Sequence, residues 1–434
     1  MWMAGCCMVP LLCSPAMAQT SVESASVRDI NYYLNEAYTQ SPFIQEQTNL
    51  QQIEELELEK LRALYTRSRL EATGDYLFVP IVSRENGTTT FEWNAQEGSN
   101  YYGYDLGTSS GHLQAGVTLT QPLTGGSLYR AARLRNEIDR EQHRQQIKLQ
   151  KHELQRAVVE QYLLCLSDRA SLSLCDSVEA LLQQQQHILR GLAQQALIPS
   201  SRLELIEIEM NENEKTALAS RASYHTHLCE LNILCGVTDT TLVTLQPLHL
   251  TPSQPSGTSS FLYSYQLDSL AAEIQYKYDL QIYRPRLNLF ADGGLRSLTP
   301  SNTLRRWGVS AGLTLSWLLY DGGQKKMRYH QMQALQATTT AYRHRQELSL
   351  LQRQSDCRSR LDNEEKQLQA SLAQLARYRI LLAQYEKEMA TGTLSIIDYI
   401  TLLKSYLVQQ RDYSLLVVNK ELIINALNYW MWSE

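Results

Sequence analysis

Histidine and cysteine are the residue types most able to bind a metal or to act as a nucleophile, and their spacing here favours neither chemistry. His225 and His227 lie two residues apart on a predicted helix, so their side chains point to different faces and are badly placed to share a metal ion. Of the 8 cysteines, five follow residue 18, an odd number without CxxC spacing. These five are interpreted as small helix-packing residues. We therefore expect no catalytic group, no metal and no cofactor, and the chain is predicted not to be an enzyme.

Two glycine pairs follow strand-like segments. The run DGGQKK, which begins at Asp321, has the wrong spacing and order for a phosphate-binding loop. Gly125-Gly126 and Gly322-Gly323 occupy equivalent positions, each before a long polar tract. Because glycine adopts dihedral angles that other residues avoid, both pairs are predicted to lie where a strand turns sharply into a helix.

The composition of the 434-residue chain indicates a protein with a buried core, since 43% of its residues are hydrophobic and 20% are charged. Lys and Arg total 40 against 45 Asp and Glu, with no basic run, which argues against a nucleic-acid partner. Only Pro199 lies between Pro122 and Pro247, and none follows Pro300. Very long helices are expected in these two tracts.

The first 18 residues, MWMAGCCMVPLLCSPAMA, are predicted to be an export signal. Their apolar stretch is too short to span a membrane as a helix, and Ala16 and Ala18 suit cleavage before Gln19. No Lys or Arg precedes the apolar stretch, so either the signal is atypical or the true start lies upstream. The mature chain is expected to be exported.

The chain contains an internal repeat. Residues 115–126 (AGVTLTQPLTGG) align with residues 311–323 (AGLTLSWLLYDGG), with one inserted residue, Asp321. We predict a first repeat at 19–235, a linker rich in Thr, Pro and Ser at 236–261, and a second repeat at 262–434. Within each repeat the predicted order is helix, strand, loop, strand, long helix, break and helix.

The helical tracts are predicted to pack as coiled coils. The opening helices cover about 29–70 and 262–283, and the long helices cover about 127–195 and 324–390. Leu368, Leu375, Leu382 and Met389 recur every seven residues, as in a coiled-coil seam. At 1.5 Å per residue, helices of this length extend roughly 100 Å.

Four strands of alternating polarity are predicted. In two of them, one face carries Val117, Leu119, Leu313 and Leu315, and the other carries Thr118, Thr120, Thr314 and Ser316. Their partner strands are predicted at 76–83 and from residue 287 onwards. Strands of about ten residues with one apolar face suit an outer membrane, although a half-buried strand of a soluble sandwich alternates in the same way. The export signal and the aromatic residues near the strand ends favour the membrane; they are Phe91, Trp93, Trp307, Trp317 and Tyr320.

The strand count requires more than one copy of the chain. Known membrane barrels begin at about eight strands, and an unpaired edge in lipid is unfavourable. Four strands per chain must therefore combine with those of other copies, and the helices that continue from the strands are expected to form a tube on one side of the membrane.

Several short motifs follow one another along the chain. They are Asn35-Glu36-Ala37 with Ser41-Pro42, Thr120-Gln121-Pro122-Leu123, Tyr283-Arg284-Pro285-Arg286-Leu287, the run from Trp317 to Gly323, and the run from Thr391 to Asp398. In this order, and together with the duplication, they resemble the TolC-like outer-membrane efflux proteins over almost all of the mature chain.

The resemblance implies a mainly α-helical fold with a small β part. Four strands from each subunit of a homotrimer would form a 12-stranded barrel in outer-membrane lipid, above a periplasmic helical tunnel. The implied function is that of a passive exit duct for an efflux or type I secretion system, joined through a periplasmic adaptor protein to an inner-membrane pump. The alternative is a non-channel periplasmic or surface coiled-coil scaffold, which would be soluble without detergent.

The helix breaks at about 195–201 and 390–395 correspond to the tip of the tunnel in such proteins. Asp398 matches an acidic position of the family's tip pattern, whereas Thr401 and Arg202 stand where further acidic residues are expected. Three copies of Asp398 near the Gly392 break could narrow the pore and bind cations. Alternatively, Ser395 and Asp398 form a capping box at the start of the returning helix. The sequence leaves both roles of Asp398 open.

Overall fold

The computed structural model describes residues 27–76, 81–92, 113–194, 198–254, 257–297, 307–390 and 396–433. The predicted export signal, Trp93 and the segment from Thr391 to Ser395, which includes Gly392, lie outside these residues. Helices make up most of the described chain and strands a small part, which confirms the predicted mainly α-helical class.

Short and very long helices follow one another. In chain order they are α1 (Ile30–Gln40), α2 (Pro42–Thr66), α3 (Gly125–Gln194), α4 (Ser201–Cys235), α5 (Ser260–Asp279), α6 (Gln324–Ala390) and α7 (Ile396–Trp430). A 3-10 turn (Leu280–Tyr283) extends α5. Helix α3 has 70 residues and α6 has 67, so each extends about 100 Å. Helix α4 packs along α3, and α7 packs along α6.

The opening helix predicted at about 29–70 is instead two helices. Helix α1 begins after Asp29, whose side chain accepts a hydrogen bond from the backbone N–H of Tyr32 at 3.0 Å. The helix ends at Ser41, because Pro42 has no N–H to continue it and suits the first position of a new helix. Helix α2 ends at Thr66 rather than at residue 70.

The strands form one four-stranded sheet and two small pairs. In chain order they are β1 (Val27–Arg28), β2 (Arg69–Tyr76), β3 (Ile81–Glu85), β4 (Thr88–Glu92), β5 (Leu113–Pro122), β6 (Thr244–Leu245), β7 (Arg286–Ser297) and β8 (Trp307–Ser316). Strands β2, β5, β7 and β8 form an antiparallel sheet in that order. Strand β3 pairs with β4, and β1 pairs with β6 in parallel.

The first partner strand, predicted at 76–83, was misplaced. Strand β2 covers 69–76 and pairs along its whole length with β5. In this segment Leu70 and Ala72 alternate with Arg69 and Glu71. Because two of these four residues are charged, the same sequence could also be the polar end of the preceding helix. Pairing with β5, which local sequence does not reveal, decides the conformation of this segment.

Strands β3 and β4 form a hairpin around a two-residue turn. Asn86 and Gly87 have φ angles of 50° and 83°, the positive values that such a turn requires. An Asn-Gly pair is typical of such two-residue turns.

Two clusters of buried side chains hold the helices together. The first cluster joins α1, α3, α4 and the segment after α4; its members are Tyr33, Ala37, Val158, Tyr162, Cys165, Tyr224, Leu228, Leu231, Cys235, Val243 and Leu245. The second cluster joins α3, α4, α6 and α7; its members are Val178, Leu182, Leu189, Ile206, Leu382, Tyr399, Ile400 and Leu403. Leu375 and Leu382 of the predicted seam are buried, at 4% and 7% exposed.

The segment predicted as a linker packs against the helices. Leu245 in β6 is 1% exposed and lies opposite Arg28 in β1. The Tyr162 hydroxyl donates a hydrogen bond to the backbone carbonyl of Gln246 at 2.8 Å. Strand β1, the predicted linker and helix α3 are thus held together by direct contacts.

Candidate functional site

The four-stranded sheet has one apolar face. Directly opposed residues in antiparallel strands lie on the same face, and the register places Leu119 of β5 opposite Leu70 of β2 and Ala291 of β7. The same face continues to β8, where Leu313 lies opposite Leu289. This surface, called here the apolar face, extends across all four strands.

The apolar face is not covered by any other part of the described chain. Leu287 and Leu295 on this face are half-buried. Eight other large side chains are between 41% and 88% exposed; they are Leu70, Val117, Leu119, Leu289, Trp307, Val309, Leu313 and Leu315. A continuous exposed surface of leucine, valine and tryptophan is rare on a water-soluble monomer and indicates contact with lipid or protein.

The opposite face, called here the polar face, carries small and hydrophilic side chains. One row crosses the sheet as Glu71, Thr118, Asp292 and Ser310. The Ser310 hydroxyl donates a hydrogen bond to the Asp292 carboxylate, and Arg69 lies 3.2 Å from Glu71. The sequence-predicted separation of Thr118, Thr120, Thr314 and Ser316 from the leucines is present in this register.

Phe290 is the exception on the polar face. It lies opposite Gly312, and a methyl group built on Gly312 would come within 2.9 Å of the Phe290 ring. The ring therefore covers the glycine of the neighbouring strand. Gly294 approaches β5 even more closely, since an added Cβ would lie 2.4 Å from the Ala115 carbonyl oxygen. A Cβ at Gly294 would overlap the β5 backbone, so only glycine fits there, whereas at Gly312 the Phe290 ring would have to move aside.

The sheet has two edges among the described residues. Strand β2 pairs only with β5, and β8 pairs only with β7. Both edges therefore offer backbone groups to a further strand.

The second strand-to-helix junction is a turn built around Asp321. Gly322 and Gly323 have φ angles of 69° and 88°, which other residues rarely adopt. The Asp321 carboxylate accepts hydrogen bonds from the backbone N–H groups of Gly323 at 2.8 Å and Lys325 at 2.7 Å. It also accepts one from the Tyr283 hydroxyl. These bonds, that of Tyr283 first, lower the pKa of Asp321, and the bond from Lys325 caps a free backbone N–H in the first turn of α6.

The first junction uses its glycines differently. Gly125 and Gly126 begin α3, and neither has a positive φ. A Cβ on Gly125 would lie 1.7 Å from the backbone carbonyl oxygen of Tyr65, so glycine permits the close contact of α3 with the end of α2. Gly125 and Gly126 lie at the strand-to-helix junction, as predicted. Close packing, rather than unusual dihedral angles, explains why glycine is needed at Gly125.

The residues predicted for the tip lie at the starts of two helices. Asp398 is exposed in the first turn of α7, and Arg202 lies in the first turn of α4, where its N–H donates to the Pro199 carbonyl at 3.1 Å. The Thr401 hydroxyl is used locally, since it donates to the Ile397 carbonyl at 2.8 Å. Because Ile206 and Tyr399 share the second cluster, the two helix starts lie at the same end of the molecule.

Buried polar groups near this end were not anticipated from the sequence. The Tyr399 side chain is 1% exposed, and its hydroxyl lies 3.5 Å from a carboxylate oxygen of Glu386. Burial raises the pKa of Tyr399, so it remains a neutral donor. Lys404 of α7 and Glu209 of α4 form an ion pair at 2.7 Å. The Lys404–Glu209 pair, whose lysine is exposed, joins the two helical hairpins, whereas Tyr399 and Glu386 belong to α7 and α6 of the same hairpin. A contact between helices so far apart in the chain as α4 and α7 is invisible in local sequence.

The histidines and cysteines are dispersed. Among the described residues, no group of three or more His, Cys, Asp or Glu is placed to hold a metal ion. His227 lies 2.5 Å from Asp168, whereas His225 lies 3.8 Å from the Cys229 sulfur. Burial raises the pKa values of Cys165 and Cys235 to about 12, so these thiols stay protonated.

Among the described helices, none is both long enough and apolar enough to cross a membrane.

The chain thus combines a small antiparallel sheet that has one exposed apolar face with two helices about 100 Å long, and this fold is similar to that of several solved outer-membrane proteins. The chain is similar to the outer membrane protein VceC from Vibrio cholerae, with 13% identity over 93% of this chain and 95% of that chain, and a TM-score of 0.69. It is also similar to the CmeC outer membrane channel from Campylobacter jejuni, with 9% identity over 93% and 85% of the two chains and a TM-score of 0.67. CusC gives 12% identity over 99% and 100%, with a TM-score of 0.67. Neither a protein-family model nor a curated protein sequence matches the chain. The mainly α-helical fold with a small β part, which the resemblance implies for the single chain, is therefore confirmed.

Proposed function

We propose that this protein is the outer-membrane exit duct of a tripartite efflux or type I secretion system. In this proposal it conducts substrates passively from an inner-membrane pump, through a periplasmic adaptor protein, to the exterior. The observation that carries the proposal is the exposed apolar face of the four-stranded sheet, which continues directly into the long helices. The fold shared with VceC and CmeC, an outer membrane protein and an outer membrane channel, supports it.

The proposed assembly is a homotrimer. A sheet of four strands leaves edges at β2 and β8, and unpaired backbone groups are very unfavourable in lipid. Pairing β8 of each copy with β2 of the next would remove all edges and close a barrel of 12 strands, within the range known for such barrels. The apolar face would then meet lipid, and the polar face would line the lumen.

The helices form the periplasmic part of the proposed duct. Helix α3 follows β5 and α6 follows β8, so three copies would extend the barrel as a helical tube about 100 Å long. Each of the two repeats, 19–235 and 262–434, would supply two strands and one helical hairpin. The far end, with Asp398, Thr401, Arg202 and the break at Gly392, would be the tip that contacts the adaptor and narrows the pore.

Fractionation and reconstitution test the proposal. The protein is expected in the outer membrane, as a trimer in mild detergent, and as a conducting pore in planar bilayers. A coiled-coil scaffold would instead be recovered without detergent and would not conduct. Recovery as a soluble monomer would contradict the exit duct.

A further inference from the structure

A groove lies between the first turns of α3 and the end of α5. Its volume is about 320 Å³, within the usual range of small-molecule sites. Arg130, Lys277 and Arg284 line it together with Ser127, and none of its described lining residues is acidic. This cavity is called here the basic groove. Helix α3 begins three residues after β5 ends, and Arg284 precedes β7 by two residues, so the groove lies where the sheet ends and the helices begin.

The two arginines of the basic groove have no counter-charge within the described chain. Both are exposed, and neither guanidinium forms a hydrogen bond or an ion pair with a described residue. The first acidic residues of α3, Glu137 and Asp139, are paired instead with Arg133 and Arg135, at 2.8 and 3.7 Å. Two positive charges in the groove are therefore available to a ligand.

The other polar side chains of the basic groove are also available. Lys277 is paired with Glu273 at 2.6 Å, but both side chains are about half exposed. Because such a surface pair contributes little free energy, the ammonium group can turn to another anion at small cost. The Ser127 hydroxyl has no hydrogen-bond partner among the described residues. Guanidinium, ammonium and hydroxyl donors that converge on one groove suit an oxyanion such as a phosphate group.

The basic groove is part of a wider basic zone at the four junctions between sheet and helices. In residues 62–71, 122–137, 273–288 and 316–330 together, twelve residues are Lys or Arg and five are Asp or Glu. The whole chain has the opposite balance, 40 against 45. Basic residues concentrated next to an apolar surface are typical of protein segments that meet anionic lipid headgroups.

Exposed apolar side chains adjoin the same zone. The run from Trp317 to Tyr320 follows β8, and its four side chains are between 40% and 84% exposed. The Trp317 indole N–H donates to the Tyr283 carbonyl at 3.1 Å, which holds this run beside the segment that leads to Arg284. Tryptophan and tyrosine are enriched at the boundary between membrane and water. Apolar surface for acyl chains and basic surface for a headgroup are thus found together.

From these groups we propose that the basic groove binds the phosphate group of an anionic phospholipid. The Arg130 and Arg284 guanidiniums and the Ser127 hydroxyl donate to the phosphate oxygens, and Lys277 adds a further positive charge. The inference rests on the proposed insertion of the sheet in lipid, because that insertion brings headgroups to the level of the groove. A small soluble phosphate ester offers the same oxygens without acyl chains, so the test must separate these two sources.

Displacement of a fluorescent, acyl-labelled phosphatidylglycerol from the full-length protein in neutral detergent tests the proposal. Saturable binding is expected, with displacement by unlabelled phosphatidylglycerol but not by glycerol 3-phosphate. Phosphatidylcholine is expected to compete about tenfold less well, because its choline group places a positive charge beside the guanidiniums. Arg130→Ala and Arg284→Ala are each expected to weaken binding about tenfold, as expected for one lost charged hydrogen bond.

Arg133→Ala is the matched control. Arg133 is exposed and lies on the same helix within one turn of Arg130, but it is paired with Glu137 and does not line the basic groove. Its replacement is expected to leave lipid binding unchanged. Arg130→Lys, which keeps the charge, is expected to restore part of the binding lost in Arg130→Ala, whereas a purely structural role of Arg130 predicts no such dependence on charge.

The proposal is overturned if phosphatidylglycerol does not bind saturably, or if Arg130→Ala and Arg284→Ala bind it like the wild type. Equal displacement by phosphatidylcholine would indicate an unselective lipid layer, and equal displacement by glycerol 3-phosphate would indicate a site for soluble phosphate esters; either result would overturn it as well. Wild-type conductance in planar bilayers separates these failures from failure of the exit duct. A conducting trimer that does not bind phosphatidylglycerol would overturn the lipid site alone, whereas a soluble monomer would overturn the exit duct.

Discussion

Asp321 shows how one inserted residue distinguishes the two repeats. In the second repeat it caps α6 and allows Gly322 and Gly323 to adopt positive φ angles, whereas the first repeat has no equivalent residue and its helix starts directly at Gly125. The Tyr283 hydroxyl ties this cap to the entry of β7. A carboxylate that accepts several hydrogen bonds in the folded state stabilises that state only while it is ionised.

We expect the stabilisation by Asp321 to disappear in acid. Its pKa in the folded protein is below the usual value of 3.8, chiefly because of the Tyr283 hydroxyl, so the contribution is present above that value and is lost as the pH falls through the folded-state pKa. Wild type and Asp321→Asn should therefore differ in Tm at neutral pH and converge in acid, as measured by thermal unfolding across pH. Asp356→Asn is the control, because this exposed residue within α6 forms only a surface ion pair with Arg360 at 3.9 Å, and its replacement should change Tm little. A Tm difference that is independent of pH would contradict the assignment.

A single substitution can distinguish the two roles of Asp398, that of a pore constriction and that of a helix cap. The side chain is exposed while its neighbour Tyr399 is buried, so Asp398 points away from the second cluster. We expect Asp398→Ala to raise trimer conductance in planar bilayers or to reduce cation selectivity. Asp412→Ala, on the same helix nearer its other end, should change neither. Unchanged conductance with a lowered Tm would identify Asp398 as a helix cap, because an acidic residue in the first turn stabilises a helix by about 0.3–1 kcal/mol.

At the scale of elements, the apolar and polar faces of the sheet are expected to differ in their tolerance of a charged side chain. Leu313 and Thr314 are neighbours in β8 on the apolar and polar faces, respectively. Leu313→Arg is expected to destabilise the membrane-inserted form by about 2–4 kcal/mol if it lies near the bilayer centre, and Thr314→Arg by much less. Thermal dissociation of the trimer in detergent or lipid measures the difference. Equal tolerance on both faces would rule out the proposed orientation.

The sequence predicts elements well where the pattern is local. Strands β5 and β8 alternate strictly, and α3 and α6 are long and free of proline, so both pairs were located to within a few residues. The prediction misplaced strand β2, because Arg69, Glu71 and Asp75 make its alternation of apolar and polar residues hard to recognise in the sequence. Its strand conformation depends on pairing with β5. The contact between Tyr399 of α7 and Glu386 of α6 depends on how these two helices pack against each other, which the periodicity of either helix alone does not reveal.

At the scale of the whole molecule, the duplication explains why one chain can combine a four-stranded sheet with long helices. Each half contributes two strands to one sheet, and adjacent strands β5 and β7 come from different halves. The halves also meet at the opposite end, through the second cluster. A single half would leave its two strands with unpaired edges and its helices without these partners, so neither half is expected to be stable alone.

The proposed lumen would exist only in the assembled trimer, and cysteine labelling tests it there. Thr118 lies on the polar face and Val117 beside it on the apolar face of β5. If the polar face lines the pore, a charged, water-soluble thiol reagent should lower the conductance of Thr118→Cys trimers in planar bilayers. The same reagent should leave Val117→Cys trimers unchanged, because a lipid-facing thiol is shielded and poorly ionised. Wild-type trimers, in which Cys165, Cys175, Cys235 and Cys357 are buried, report any background from native thiols. Block of Val117→Cys but not of Thr118→Cys would show that the sheet is turned the other way round and would overturn the proposed barrel.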